Sequence, residues 1–140
     1  MLDTRTAPYA ALILRLVTGA LFLTHGLIKL LVFTPAGTAG YFASLGLPGW
    51  LGYLTMAVEI LGGIALILGL WTRIVAVIEV FPLLGAILFV HAANGFGFTN
   101  PGGGWEYPAL WMMAMIVLAL LGDGAYALRP TPAPRRAVAA

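Results

Sequence analysis

The stretch RLVTGALFLTHGLIKL, Arg15–Leu30, is apolar enough to lie in lipid, yet it carries Arg15, His25 and Lys29. Ionisable groups in a hydrocarbon layer are costly and need a reason to be there. At about 100° per residue, Arg15, Thr18, Phe22, His25 and Lys29 fall on one arc of a helix, with Gly19 and Gly26 beside it. The opposite face is Leu, Ile, Val and Ala. Such a helix turns one stripe toward protein and the other toward lipid. The charges belong inside.

The rest of the chain agrees with that placement. Of its 140 residues, 61% are hydrophobic and 9% charged, and the mean hydropathy is +1.00. A soluble domain carries about 25% charged residues, so the class is integral membrane protein, with the lipid bilayer as its first partner. A net charge of +2 argues for no nucleic-acid partner. Without a single cysteine, disulfides, thiolate metal sites and thiol redox chemistry of the chain's own are excluded, and no metal site is expected. The N-terminal apolar run is too long for a signal-peptide core and no A-x-A-like site follows it, so it reads as a first span.

Four runs approach the roughly 20 residues that cross a bilayer: residues 8–33, 50–70, 72–93 and 107–128. Residues 1–129 thus form one domain, an all-α, integral-membrane four-helix bundle, and residues 130–140 read as a disordered basic tail. TPAGTAGYFASLGLPG and NGFGFTNPGGGWEY, dense in turn formers, separate spans one from two and three from four, while WTR links two to three tightly. With alternating spans, Arg5, Arg73, Arg129, Arg135 and Arg136 fall on one side, so both N and C termini are expected in the cytoplasm. Trp50, Trp105, Tyr107 and Trp111 fit anchors at the outer interface, and Trp71 at the inner one.

The second span places Glu59 on a face with Thr55, Gly62, Gly63 and Leu66; the third places Glu79 three residues before Pro82. Counting about 1.5 Å per residue puts Arg15 and Glu79 at one depth, and His25 near Glu59 at another. The expected pairs are therefore Arg15 with Glu79 or Glu59, and His25 or Lys29 with Glu59. Such pairs can fix helix arrangement without doing chemistry. The outer half, however, gathers His25, Lys29, Glu59, His91, Asn94 and Glu106, more polarity than packing requires.

The motifs R…HG…K in the first span, E-x-x-G-G followed by G-x-x-T-R, H-x-x-N-G-F (His91–Phe96) and G-G-x-E-Y (Gly103–Tyr107) resemble those of the DoxX family of small bacterial inner-membrane proteins, in order from Leu14 to Arg129. The resemblance implies a four-helix membrane bundle in the cell inner (cytoplasmic) membrane. It also implies that Arg15, Glu59, His91, Asn94 and Glu106 are family-typical polar positions. Relatives are linked to a membrane subunit of thiosulfate:quinone oxidoreductase and to a membrane oxidoreductase complex that handles thiols and oxidative stress.

A quinone needs an apolar slot, hydrogen-bond partners for its carbonyl oxygens and proton donors near neutral pH, for which imidazole is suited. On that chemistry His25, Glu59 and His91 are the candidate catalytic residues, and Arg15, Lys29, Asn94, Trp105 and Glu106 the candidate cofactor-binding ones, in a polar pocket open to the non-cytoplasmic side. The expected function is a quinone- or thiol-linked component of a redox complex. Haem held by His25 and His91 is disfavoured, because the two lie about 6–9 Å apart in depth. Two other readings stand beside this one: a non-catalytic membrane scaffold for a redox-enzyme partner subunit, and, below it, a small transporter that would need a homo-oligomer.

Overall fold

The computed structural model describes residues 3–132. These are helical, with no strand beyond one backbone bridge between Leu70 and Arg129. Residues 133–140, with Arg135 and Arg136 of the expected tail, lie outside the described residues.

Helix α1, Ala7–Leu31, starts with Pro8 in its first turn, where the missing N–H costs nothing. Its buried residues are Ala11, Arg15, Thr18, Gly19, Phe22 and Gly26; of the predicted stripe, Lys29 is half-buried and His25 is exposed, because the helix parts from its neighbours at the cavity. Helix α3, Trp50–Leu68, is closed by Gly69 in the left-handed conformation (φ 70°). After the turn at Leu70–Trp71, α4, Thr72–Ala86, continues as a π-helical turn, Ile87–His91, and a short 3₁₀ turn, Ala92–Asn94. Helix α5, Glu106–Leu121, ends at Gly122 (φ 98°), seven residues short of the predicted end of the fourth run. Three helical stretches are long and apolar enough to cross a membrane, Ala7–Leu31, Trp50–Leu68 and Thr72–Asn94, and Glu106–Leu121 is a shorter apolar helix.

The segment after α1 holds a helix that turn-former counting missed. Helix α2, Pro35–Ser44, begins with proline, and the Thr34 hydroxyl caps it by accepting from Gly37 N–H at 3.2 Å. Serine- or threonine-type caps followed by proline are a start signal, one that counting turn formers passes over. The Thr38 hydroxyl donates to the Lys29 carbonyl at 3.1 Å, tying α2 to the end of α1.

The helices pack as two pairs, α1 on α3 and α4 on α5. Glycine sets the first contact. A Cβ on Gly63 would lie 2.6 Å from Leu23 N and 2.8 Å from Gly19 O, and one on Gly19 would lie 2.9 Å from Gly63 O. Backbones this close gain dispersion contacts that lipid cannot supply, the usual source of helix association in membranes. Between the pairs sits an apolar core of Phe22, Leu66, Ala76, Leu83, Trp111, Met115 and Leu118.

At the end where Ala7, Gly69 and Leu121 meet, residues 122–131 form a strap. Leu128 N–H donates to Leu68 O (3.1 Å), Arg129 N–H to Gly69 O (3.0 Å) and Trp71 N–H to Arg129 O (2.8 Å). The Arg129 guanidinium covers the Trp71 ring at 4.9 Å. Arg73 donates to the Ala119 and Leu120 carbonyls at 2.8 and 3.1 Å, satisfying orphan acceptors at the C-terminus of α5. Asp123 accepts from Thr72 N–H and from the Thr131 hydroxyl, each at 2.9 Å. Thr131, expected in a loose tail, is therefore held.

Arg15 departs from expectation. Its Nη2 donates to the Ala125 carbonyl at 3.1 Å, and it pairs with neither Glu79 nor Glu59. The reason is reach. Helical side chains lean toward the N-terminus, and the long arginine carries its guanidinium against Gly69, whereas the Glu79 carboxyl lies against Gly62. Those two glycines are seven residues apart, about 10 Å along α3.

Burial alone would raise the Asp123 carboxyl, but hydrogen bonds from Thr131 and Thr72 outweigh it and hold the group below its ordinary value. A carboxylate so depressed stabilises the strap above the ordinary aspartate pKa of about 3.9, and that support is lost as pH falls through the lowered value. Hydrogen exchange of residues 122–131, taken relative to the intrinsic rate at the same pH, is expected to accelerate as the pH falls through the lowered value. Asp123→Asn should produce the acceleration at neutral pH, and unchanged protection in both experiments would refute the role.

Candidate functional site

On the other side of the core, between the two pairs, lies a cavity of about 1330 Å³. His25 and Lys29 of α1, Glu59 of α3 and His91 of the π-helical turn all line it. Helical spacing brings them there: His25 and Lys29 are one turn apart on the inward stripe of α1, and Glu59 continues the glycine face of α3.

Lys29 Nζ donates to both Glu59 oxygens, at 2.9 and 2.7 Å. The pair is largely withdrawn from solvent, with side chains 21% and 9% exposed. This is one of the two expected partners of Glu59; His25 is engaged elsewhere. Its Nδ1 lies 2.9 Å from the Leu21 carbonyl. A carbonyl only accepts, so Nδ1 carries the proton and Nε2 of the neutral ring is a free acceptor. The His25 ring leans on Trp111 at a centroid distance of 5.2 Å, and Trp111 on Phe22 at 4.4 Å. His91 repeats the arrangement, its Nδ1 donating to Gly103 O at 2.8 Å. Two imidazoles are thus fixed in one tautomer, with no partner for Nε2 among the described residues.

Most of the wall is apolar. Phe22 and Trp111 form one side, Phe81 and Pro82 another, and Tyr41 and Phe42 of α2 cover one end. The expected polar pocket is a largely apolar chamber whose ionisable groups are the Lys29–Glu59 pair and the two histidines, with the hydroxyl-bearing Thr38, Tyr41, Thr55 and Tyr107 also in its lining.

Four other predicted residues do not line it. Arg15 belongs to the strap. Asn94 staples the loop, donating from Nδ2 to Gly102 O and Gly103 O, each at 3.0 Å. Trp105 packs on Phe96 at 4.9 Å, and Glu106 opens α5 in its first turn, where a carboxylate complements the helix dipole. Conversely Trp111, expected at the interface, is buried against His25. Its position one turn after Pro108 and one before Met115 was the signal, since both of those are also buried.

Glu79 stands behind the chamber. It is fully buried, and neither carboxyl oxygen has a hydrogen-bond partner among the described residues. Gly62 makes the room for it, because any Cβ there would collide with Glu79 Oε1.

The DoxX family model matches residues 10–92, which take in all but the first turn of α1, the helices α2 to α4, the Lys29–Glu59 pair and both histidines. The chain belongs to the DoxX family. Among its relatives, the Bacillus subtilis protein named "Putative oxidoreductase CatD" is 39% identical over 119 residues, 85% of this chain and 84% of that one. The Escherichia coli inner membrane proteins YqjF and YphA are 32% and 30% identical, covering 84% and 86% of this chain and 87% and 89% of their own lengths. No solved structure matches the chain at a significant level. With helices of membrane-spanning length and relatives named for the inner membrane, this DoxX protein is a multi-pass protein of that membrane.

Proposed function

We propose that this DoxX protein is the membrane component of a redox system and that its chamber holds a quinone ring. In this reading α5 is the fourth span, both termini and the strap face the cytoplasm, and the chamber lies in the outer half of the bilayer. One observation carries it: a largely apolar chamber that contains a charge-assisted Lys29–Glu59 pair and two imidazoles with free Nε2 atoms.

The residues fit such a ring. Phe22 and Trp111 offer aromatic faces, tilted 41° to each other, and Lys29 Nζ has a donor beyond the two given to Glu59. When bound, a quinone supplies two-electron, two-proton chemistry. The chain's own residues supply the rest. His25 takes or gives a proton at Nε2 while Leu21 O fixes its ring. Glu59 holds Lys29 in place and can receive a proton from it. His91 Nε2 provides a second transfer point toward the loop Gly95–Gly104. Because the chain has no cysteine, electrons from a thiol reach the chamber through a partner protein, in keeping with the oxidoreductase name of the B. subtilis relative.

The test is retention. Protein purified in mild detergent is expected to carry a quinone, found by mass spectrometry of its lipid extract. His25→Ala should lower the retained fraction about tenfold, the equivalent of the one hydrogen bond that Nε2 accepts from a hydroxyl of the reduced ring or, once protonated, donates to a carbonyl of the oxidised one. Folded protein that carries no quinone, or a His25→Ala variant that carries as much as wild type, would end this reading.

A further inference from the structure

The walls of the chamber are not equally closed. On α3, Leu51, Leu54, Thr55 and Val58 form one stripe facing it; on α4, Ile78, Phe81, Pro82 and Gly85 form the opposing stripe. Their outer members are exposed: Leu54 50%, Ile78 44% and Phe81 67%. Helices α3 and α4 meet at the tight turn Gly69–Trp71, but each packs mainly on another partner, α3 on α1 and α4 on α5. Beyond the contact of Glu79 with Gly62, about two helical turns from there, the chamber lies between their stripes.

Pro82 and the π-helical turn fall on the part of α4 that follows Glu79 and lines the chamber, and both are common causes of helix deviation. The end of the chamber is treated differently. Helix α2 lies across α3 and α1 there, and its Tyr41 and Phe42, with Leu45 and Leu47 after it, roof the space with apolar side chains.

Gly85 decides what this gap is for. It lines the chamber, and a Cβ built on it meets nothing within 4 Å. A helix that merely needed packing here would gain from a larger side chain, since glycine costs about 1 kcal/mol relative to alanine in a helix. Gly19 and Gly63 are small because backbones touch. Gly85 is small with nothing touching it.

We infer that the chamber opens sideways to lipid between α3 and α4, and that its ligand is a chain-bearing isoprenoid molecule whose ring lies at Lys29–Glu59 while its chain leaves past Gly85. This rests on the quinone reading and narrows it: the ligand arrives from the membrane, and a water-soluble thiol is not what the chamber binds. The Lys29–Glu59 pair is withdrawn from solvent whereas Leu54, Ile78 and Phe81 are exposed, a gradient that matches the polar head and apolar tail of such a molecule. Gly85 is then the residue that sets how bulky a chain can pass.

The test compares ligands that share a ring. Bare benzoquinone and naphthoquinone rings, and the same rings carrying short isoprenoid chains, are titrated into the full-length protein in nanodiscs. Binding is read from the part of the tryptophan quenching that disappears in Trp111→Phe. Gly85→Leu is expected to weaken the chain-bearing ligands about tenfold, the worth of roughly two displaced methylene groups, and to leave the bare rings within about twofold. Gly40→Leu on α2, where a Cβ also meets nothing within 4 Å but which does not line the chamber, should leave both unchanged.

Equal losses for bare and chain-bearing rings in Gly85→Leu would overturn the side opening while leaving the ring site standing, as would no loss for either. An equal effect of Gly40→Leu would overturn it too. If wild type binds neither class, the quinone reading falls and takes this inference with it.

Discussion

Gly63→Ala is expected to cost about 2 kcal/mol of stability and to lower the unfolding midpoint in detergent, although it adds only a methyl group to a helix. Overpacking costs 1–3 kcal/mol in well-packed sites, and here the obstacles are the Leu23 amide and the Gly19 carbonyl oxygen, at 2.6 and 2.8 Å. Backbone atoms cannot rotate aside, so α1 and α3 must part along their whole contact. Alanine's better helix propensity, up to about 1 kcal/mol, offsets some of the loss and is included in the figure. Gly85→Ala supplies the opposite sign, because the same methyl there enters open space and only the propensity gain remains. The measurement is a pair of SDS- or heat-induced unfolding curves on both variants. A Gly63→Ala midpoint at or above wild type would mean that the α1–α3 contact is looser than these distances require.

The same contact explains how much of the fold the chain declares in advance. Long apolar runs can be read because nothing but a helix satisfies its backbone in lipid. The inward stripe of α1 can be read because Arg15, Thr18, Phe22, Gly26 and Lys29 repeat at helical spacing. The partner of Lys29 was within reach for the same reason: Glu59 lies on the one face of α3 that is rich in glycine. Arg15 shows where such reading ends. Depth was counted at Cα, but a guanidinium acts several ångströms from its own backbone, and its partner is the carbonyl of Ala125, a group every residue possesses. Matching charges by depth therefore joined Arg15 to Glu79, which in fact lies two turns away with neither oxygen engaged.

The site was legible in its chemistry and illegible in its shape. His25, Lys29, Glu59 and His91 could be named from type and spacing. Asn94 and Glu106 were of the same types, yet they serve the loop and the first turn of α5, because a polar residue near a helix end can satisfy local backbone as readily as a ligand. The apolar walls carried no signal, since Phe81 and Phe42 look like any lipid-facing residue until two helices are known to stand apart. Pro82 marked the place, and only the packing of α4 on α5 shows the direction.

Lys29→Met is expected to be the most damaging single change at the chamber, and to be repaired by a second change that removes more charge. Lys29 gives two hydrogen bonds to Glu59, and the described residues contain no other ion pair. Without the ammonium, the carboxylate is left in an apolar wall with no partner, a situation that costs about 3–5 kcal/mol. Adding Glu59→Leu removes the stranded group. A buried pair replaced by apolar residues of similar volume is often neutral or stabilising by about 1–4 kcal/mol, so the double variant should unfold near the wild-type midpoint. Retained quinone separates stability from use: it should be lost in both variants, although the double variant is well folded. The pair would then be kept for the ring it meets, at no benefit to the fold. Should the double variant remain as unstable as Lys29→Met, the pair is structural after all, and should Lys29→Met unfold like wild type, Glu59 has another partner and the chamber is wetter than its walls imply.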